Sequence, residues 1–144
     1  MIKIYTAGKM YGLSYKEQME WRNNLENELY KKSSEDFKCI HPPVYYSYDS
    51  PSHLTEKEIM DWDLNHLKDC NIMVVNLNKI ETSIRTMYEV AMANALNQSG
   101  HKHIYIIGFG HTNKPLHPWL ELSLHRKEDT VEAATEYIAS FLLI

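Results

Sequence analysis

Residues 71–96, NIMVVNLNKIETSIRTMYEVAMANAL, change their hydrophobic period partway along. Ile72-Met73-Val74-Val75 is a continuously apolar run, Asn76 to Thr82 is polar, and Ile84 to Leu96 repeats its apolar residues at helical spacing. A short run with no polar alternation suits a strand covered on both faces, and a helix following it makes half of a βαβ unit. One residue departs from the pattern. Glu89 stands beside Val90, Ala91, Met92 and Ala93, so its carboxylate lies either on the solvated stripe of the helix or in a cleft.

The same alternation runs through the rest of the chain. Ile2 to Ala7 reads as a first strand that runs into the glycine-bracketed loop Gly8-Lys9-Met10-Tyr11-Gly12. Tyr15 to Lys32 is an amphipathic helix with Met19, Trp21, Leu25 and Leu29 near helical spacing, and Ser14 with Glu17 completes a capping box at its start. Phe37 to His41 is a short second strand stopped by Pro42-Pro43. Val44 to His53 is a tyrosine-rich loop, long enough for a lid or binding segment. Leu54 to Asp69 is a helix with Thr55 as cap and Glu58 as its box partner. His103 to Phe109 is a fourth strand, and Leu120 to Leu124 is a short fifth strand or an irregular edge. Asp129 to Leu143 closes the chain as a helix capped by Thr130, with Val131, Ala134, Tyr137, Ile138 and Phe141 on its apolar stripe.

Strands alternating with helices predict an α/β fold: an open doubly wound parallel sheet of four to five strands with helices on both faces. No repeat or linker interrupts residues 1–144, so one domain is expected. Ligands bind such sheets at the carboxyl ends of the strands. The loops to watch are therefore 8–12, 41–53, 76–83 and 108–117.

The net charge of −4 argues against a broad nucleic-acid-binding face. No apolar run reaches the roughly 18 residues a membrane span needs, and the N-terminal MIKIYTAG reads as a strand and glycine turn, not a leader. Cys39 and Cys70 fit neither a metal spacing nor a disulfide framework, which suits reduced thiols in the cytoplasm. Eight histidines are present, without a recognised ligand spacing. Neither a metal nor a cofactor is expected. His117 and Trp119 line either a pocket or a subunit contact, and core packing is equally open for Trp119.

Several stretches, in order, resemble the nucleoside 2-deoxyribosyltransferase family: IYTAGKMYG near the start, MDWDLNHLKD, a strand ending in Asn76, and Ser83 six residues before Glu89 with VAMANAL after it. The tail HPWLELSLHRKEDTVEAATEYIASFL is similar to the end of small phage and bacterial members. The resemblance implies a flavodoxin-like fold. It also implies cleavage of the N-glycosidic bond of a deoxynucleoside or its 5'-monophosphate, a small-molecule partner, and a homo-oligomer (dimer or higher) whose sites are completed by a neighbouring subunit. By motif, Glu89 is the nucleophile, Tyr5 hydrogen-bonds it, and Asp63 faces the base. Ser83 stands where members acting on 5'-monophosphates contact phosphate. Two positions depart from the pattern: Arg85 replaces a glycine, and Asn71 replaces an aspartate.

These residue types suit the chemistry. A carboxylate stabilises and captures an oxocarbenium-like centre, and a departing base needs a proton that a second acid can supply. Each residue also has a plainer reading: Tyr5 as a core tyrosine, Ser83 as a helix cap, Arg85 as a surface arginine. Asp61 and Asp63 cannot share a helix face, so one of them faces solvent. Gly8, Lys9, Gly12, Asn76, Ser83 and Arg85 are the candidate substrate contacts, with Tyr45, Tyr46 and Tyr48 as a candidate lid. Three outcomes stay open: a glycosidic-bond enzyme, a nucleotide-binding or sequestering protein on the same fold with catalysis lost through Arg85, or a different glycosyl chemistry on a modified or cyclic nucleotide.

Overall fold

The computed structural model describes residues 1–46 and 55–144. Five strands, β1 (Ile2–Ala7), β2 (Phe37–Ile40), β3 (Ile72–Asn76), β4 (Tyr105–Phe109) and β5 (Arg126–Glu128), form one sheet. All four pairings are parallel, and the order is β2-β1-β3-β4-β5. Order reverses between β1 and β3, so the crevice past their carboxyl ends is the expected ligand position for a flavodoxin-like sheet. Helices α1 (Tyr15–Lys32), α2 (Glu56–Asp69), α3 (Ile84–Gln98), α4 (Pro118–Ser123) and α5 (Val131–Tyr137) cover it.

Alternation along the strands splits the core in two. Tyr5, Ala7, Met73, Val75 and Ile106 meet Leu64 and Leu67 of α2 and Val90 and Ala93 of α3 on one face. Ile4, Ile72, Val74 and Ile107 meet Leu25 and Leu29 of α1, Ala134 of α5 and Ile138 just past its end on the other. Both expected capping boxes form, Ser14 with Glu17 and Thr55 with Glu58, so α1 and α2 start where their local sequence dictates.

Three expectations change. Leu120 to Leu124 is not a strand: Pro118 opens α4 there, with Trp119 N–H donating to His117 Nδ1 at 3.2 Å. Proline at a first helical position is already set for helix, and this outweighs five residues of apolar alternation. The fifth strand is instead the charged Arg126–Glu128, and a charged edge discourages further pairing. The closing helix runs as α-helix only to Tyr137 and then widens into a π turn at Ile138–Leu142. That wider turn takes Phe141 off the buried stripe, so it is exposed against Tyr137, and Leu143 is buried in its stead. Trp119 lies outside the core, 80% exposed.

The tyrosine-rich loop begins inside a 3₁₀ turn, Pro42–Tyr45. Tyr48 lies outside the described residues, as does Leu54, the expected start of α2. No helix among the described residues is long and apolar enough to cross a membrane.

Candidate active site

Helix α3 starts just beyond β3 and delivers Glu89 to the switch-point crevice after one and a half turns. Its side chain is 4% exposed. Strand β1 sends Tyr5 to the same face of the sheet, and the Tyr5 hydroxyl donates to Glu89 Oε2. Asp63, on the buried stripe of α2, is 2% exposed and accepts from the Tyr46 hydroxyl. Asp61 is the exposed aspartate of the pair and bonds Lys57. Tyr5 is therefore a buried tyrosine and an orienting partner at once, while Tyr46 holds the second acid.

Glu89 and Asp63 line one cavity of about 280 Å³, walled by Ile59, Met60, Leu64 and Ile84. A second hollow, about 580 Å³, is lined by Lys9, Met10, Gly12, Tyr46, Thr82 and Ser83. Arg85 borders both, as do Glu56, Ile59 and Ile84, so the two adjoin as an inner and an outer chamber. The Arg85 guanidinium lies 5.8 Å from the Tyr46 ring centroid, 4.0 Å from Glu56 and 3.6 Å from Met10 Sδ. None of these contacts is a close bidentate pair of the kind arginine makes with carboxylate or phosphate.

Electrostatics separate these groups. Burial, then the charge of Asp63, raises the Glu89 carboxyl to about 8. The Tyr5 hydrogen bond, Arg85 and Arg22 pull the other way. Tyr5 itself is pushed well above the usual phenol range, first by burial and then by Glu89. Arg22 was not foreseen. It is 0% exposed, on α1, with its guanidinium donating to Thr6 Oγ1 at 3.1 Å, to the Gly8 carbonyl at 3.4 Å and to the Gln18 carbonyl. Burial lowers it to about 10, and Glu89, Tyr5 and Asp63 offset that fall. It stays cationic at neutral pH. The sequence signal was an arginine at helical spacing between Gln18, Leu25 and Leu29, inside an otherwise buried stripe.

The other expected contacts divide. Lys9 Nζ donates to Thr82 Oγ1 at 2.8 Å, which joins the β1 loop to the β3 loop across the outer chamber. Gly12 takes φ +80, a left-handed conformation that favours glycine. Ser83 is buried against Thr86, their hydroxyls 2.6 Å apart, and makes no side-chain cap to α3. The simple cap reading of Ser83 is thereby replaced. Gly8 and Asn76 line neither chamber. A Cβ on Gly8 would stand 3.0 Å from Trp21 and 3.1 Å from Asn76 Cβ, and Asn76 Oδ1 accepts from Asn78 N–H at 3.0 Å. Those two residues hold the loop after β1 close against the end of β3.

A parallel sheet ordered 2-1-3-4-5, with a buried glutamate and an aspartate at its switch point, defines an α/β protein with a two-acid cleft. The family described as nucleoside 2-deoxyribosyltransferase like matches residues 1–107, and the chain belongs to that family. A 2-deoxyribosyltransferase from the psychrotolerant bacterium Bacillus psychrosaccharolyticus has a similar fold: TM-score 0.68 at 19% identity, over 94% of this chain and 91% of that one. A 2-deoxyribosyltransferase from Leishmania mexicana gives a TM-score of 0.58 at 14% identity, over 98% and 99%. No curated protein sequence matches the chain.

Proposed function

We propose that this protein cleaves the N-glycosidic bond of a 2'-deoxynucleoside or its 5'-monophosphate. The observation that carries the reading is Glu89 itself: a buried carboxylate, held by Tyr5, facing a cavity that it shares with Asp63. In the first step a Glu89 oxygen attacks the anomeric carbon and the bond to the base nitrogen breaks. The proton that Glu89 gives up on ionising passes to Asp63, and the base leaves with the bonding electrons and takes that proton from Asp63, the assigned donor. In the second step water or an acceptor base attacks the same carbon, gives its proton to the now ionised Asp63, and frees the Glu89 carboxylate. The raised pKa of Glu89 stores the acid form in the free protein. A substrate whose binding draws Arg85 inward favours the ionised form.

The outer chamber is the assigned place of the sugar 5' end. Lys9 and Arg85 bring positive charge there, and the first N–H groups of α3 add the partial positive charge of a helix start. This tilts the reading toward the 5'-monophosphate, with hydrolysis or base transfer as the second step. The test is incubation with deoxynucleosides and deoxynucleotides, with and without acceptor base, following free base. Absence of release from every substrate would sink the enzyme reading.

One observation favours a second reading. Arg85 stands between the two chambers, and the inner one lies just under the roughly 300–1,000 Å³ typical of ligand sites. A protein that binds or sequesters nucleotide without cleaving it fits that arrangement. Calorimetry separates the two, since tight binding with no base release selects the second. We further assign a homo-oligomer. Met60, Ile84 and Tyr88 line the inner chamber yet are exposed, so a neighbouring copy covering this rim would shield them and the site together. A monomer by light scattering at working concentration would refute it.

A further inference from the structure

Away from the cleft, three side chains with metal-binding atoms meet where β2 ends. Alternation along β2 sends Phe37, Cys39 and then His41 toward the face covered by α1. Glu26 stands on α1 one turn after Arg22, over that strand end. One ligand atom each from Glu26, Cys39 and His41 lies within 4.8 Å of the other two. His41 Nε2 is 2.6 Å from Glu26 Oε2, and His41 Nδ1 is 2.8 Å from Thr6 Oγ1. A polar partner on the second ring nitrogen is what orients a ligating histidine. Cys39 and His41 are largely enclosed, whereas Glu26 is half-buried and opens the group to solvent.

We propose that Glu26, Cys39 and His41 bind one zinc ion per chain, with water as the fourth ligand. A sulfur, nitrogen and oxygen donor set suits Zn²⁺ and disfavours the hard cations Mg²⁺ and Ca²⁺. Bonds of about 2.0–2.3 Å put tetrahedral ligand atoms roughly 3.3–3.8 Å apart, a change that the half-buried Glu26 side chain can absorb. Binding replaces the Cys39 S–H bond with Zn–S and releases that proton to solvent. His41 ligates through the Nε2 lone pair and keeps its proton on Nδ1, donating to Thr6. The Thr6 hydroxyl then donates to the Ile40 carbonyl, 3.3 Å away. Without metal, the same groups are satisfied by Nε2–H donating to Glu26, and Cys39 takes no part. The thiol therefore discriminates between the two arrangements.

The ion would staple α1 to the end of β2, immediately before Pro42-Pro43 and the segment that brings Tyr46 to Asp63. From His41 the hydrogen bonds continue through Thr6 and Arg22 to the Gly8 carbonyl. The site therefore braces one wall of the cleft and takes no part in the chemistry there.

The experiment is a titration of the full-length, chelator-treated, thiol-reduced chain with Co²⁺, followed by Zn²⁺. The expected result is saturation at one Co²⁺ per chain, with thiolate-to-cobalt charge-transfer absorption that Zn²⁺ abolishes. Zinc should also raise the unfolding midpoint. C39S should lose the charge-transfer band, and E26Q should keep it with about tenfold or weaker affinity. A folded, reduced wild type without the band overturns the site, as does an equal band in C39S. Should C39S fail to fold, E26Q decides: unchanged cobalt affinity overturns the three-ligand site, and weakened affinity supports it. None of these readouts depends on glycosidic turnover.

Discussion

Two hollows flank helix α3, and they differ in kind. On one side lies the inner chamber of about 280 Å³, where Glu89 and Asp63 face each other. On the other lies a groove of about 770 Å³ between α3 and α4, walled by Met87, Val90, Ala91, Leu116 and Leu120. Trp119 and Leu122 stand on its rim, the latter 82% exposed. Size alone favours the groove as a ligand site. Chemistry favours the chamber, because only there do two buried acids converge at the switch point of the sheet with a displaced pKa. A large apolar hollow offers area, whereas bond cleavage needs groups that gain and lose charge.

The sharpest way to break this contrast is one substitution on each side. If Glu89 is the nucleophile proposed above, Glu89→Ala should lower turnover by about 10³-fold or more, while the circular dichroism stays native. Leu122→Ala should leave kcat and KM within about twofold, in line with surface substitutions away from a site. An equal loss from both, measured by base release, would reverse the assignment of the two hollows.

Stability sharpens it next. Glu89 is raised from its ordinary value to about 8 in the folded chain. The unfolded chain therefore releases this proton first as pH rises. Its contribution to stability is fully present below about pH 4.5 and is lost progressively up to about 8. Glu89→Gln has no such titration and still accepts the Tyr5 hydrogen bond. The variant should gain on wild type as pH rises from 5 to 8, reaching a few kcal/mol at order of magnitude. Urea midpoints at the two pH values measure it, and a gap that does not widen would place Glu89 in a wetter setting. A residue whose loss stabilises the fold while abolishing turnover is retained for function.

Smaller effects come from the partners of Glu89. Asp63→Asn removes a charge that raises the Glu89 pKa, so the acid limb of kcat/KM should move to lower pH. On the proposed mechanism, in which Asp63 relays the proton to the departing base, the rate plateau should also fall about 10²-fold. Tyr5→Phe removes a hydrogen bond that lowers the same pKa, so its acid limb should move to higher pH. Opposite signs from two neighbours of one carboxylate are difficult to produce by general disruption. Shifts in the same direction would disprove the arrangement.

What could be read beforehand follows the range of the interactions. Capping boxes at Ser14 and Thr55 are local, and both formed as written. The apolar run at Ile72–Val75 needed only coverage on two faces, which any doubly wound sheet supplies. Leu120 to Leu124 misled because five residues fit a strand period as well as a helix, and Pro118 decided the matter. Ser83 carried a cap signal, yet Thr86 took its hydroxyl. Longer-range features were harder. Tyr5 reaches Glu89 across 84 residues of sequence; the family resemblance supplied that pairing, and no periodicity did. Arg22 was visible only as a charge on an apolar stripe. The convergence of Glu26, Cys39 and His41 depends on the packing of α1 over β2, which no spacing along the chain encodes.

Arg85 tests the boundary within the polar side itself, where the smallest effect is expected. Its side chain borders both chambers and is 40% exposed, so its charge is partly screened by solvent. If Arg85 holds a 5'-phosphate, Arg85→Met should raise KM for the deoxynucleotide about tenfold, within the range of a charge-assisted contact. KM for the free nucleoside should then stay unchanged. If Arg85 instead closes the inner chamber, the same variant should lower KM for the nucleoside, because an obstruction has been removed. Either variant outcome carries a second mark. Arg85 lowers the Glu89 pKa, so its loss should shift the acid limb upward, in the direction of Tyr5→Phe and against Asp63→Asn. Ground-state recognition of phosphate alone would change KM and leave that limb in place. A KM change together with an upward limb would mean that one guanidinium serves the anion in the outer chamber and the carboxylate in the inner one.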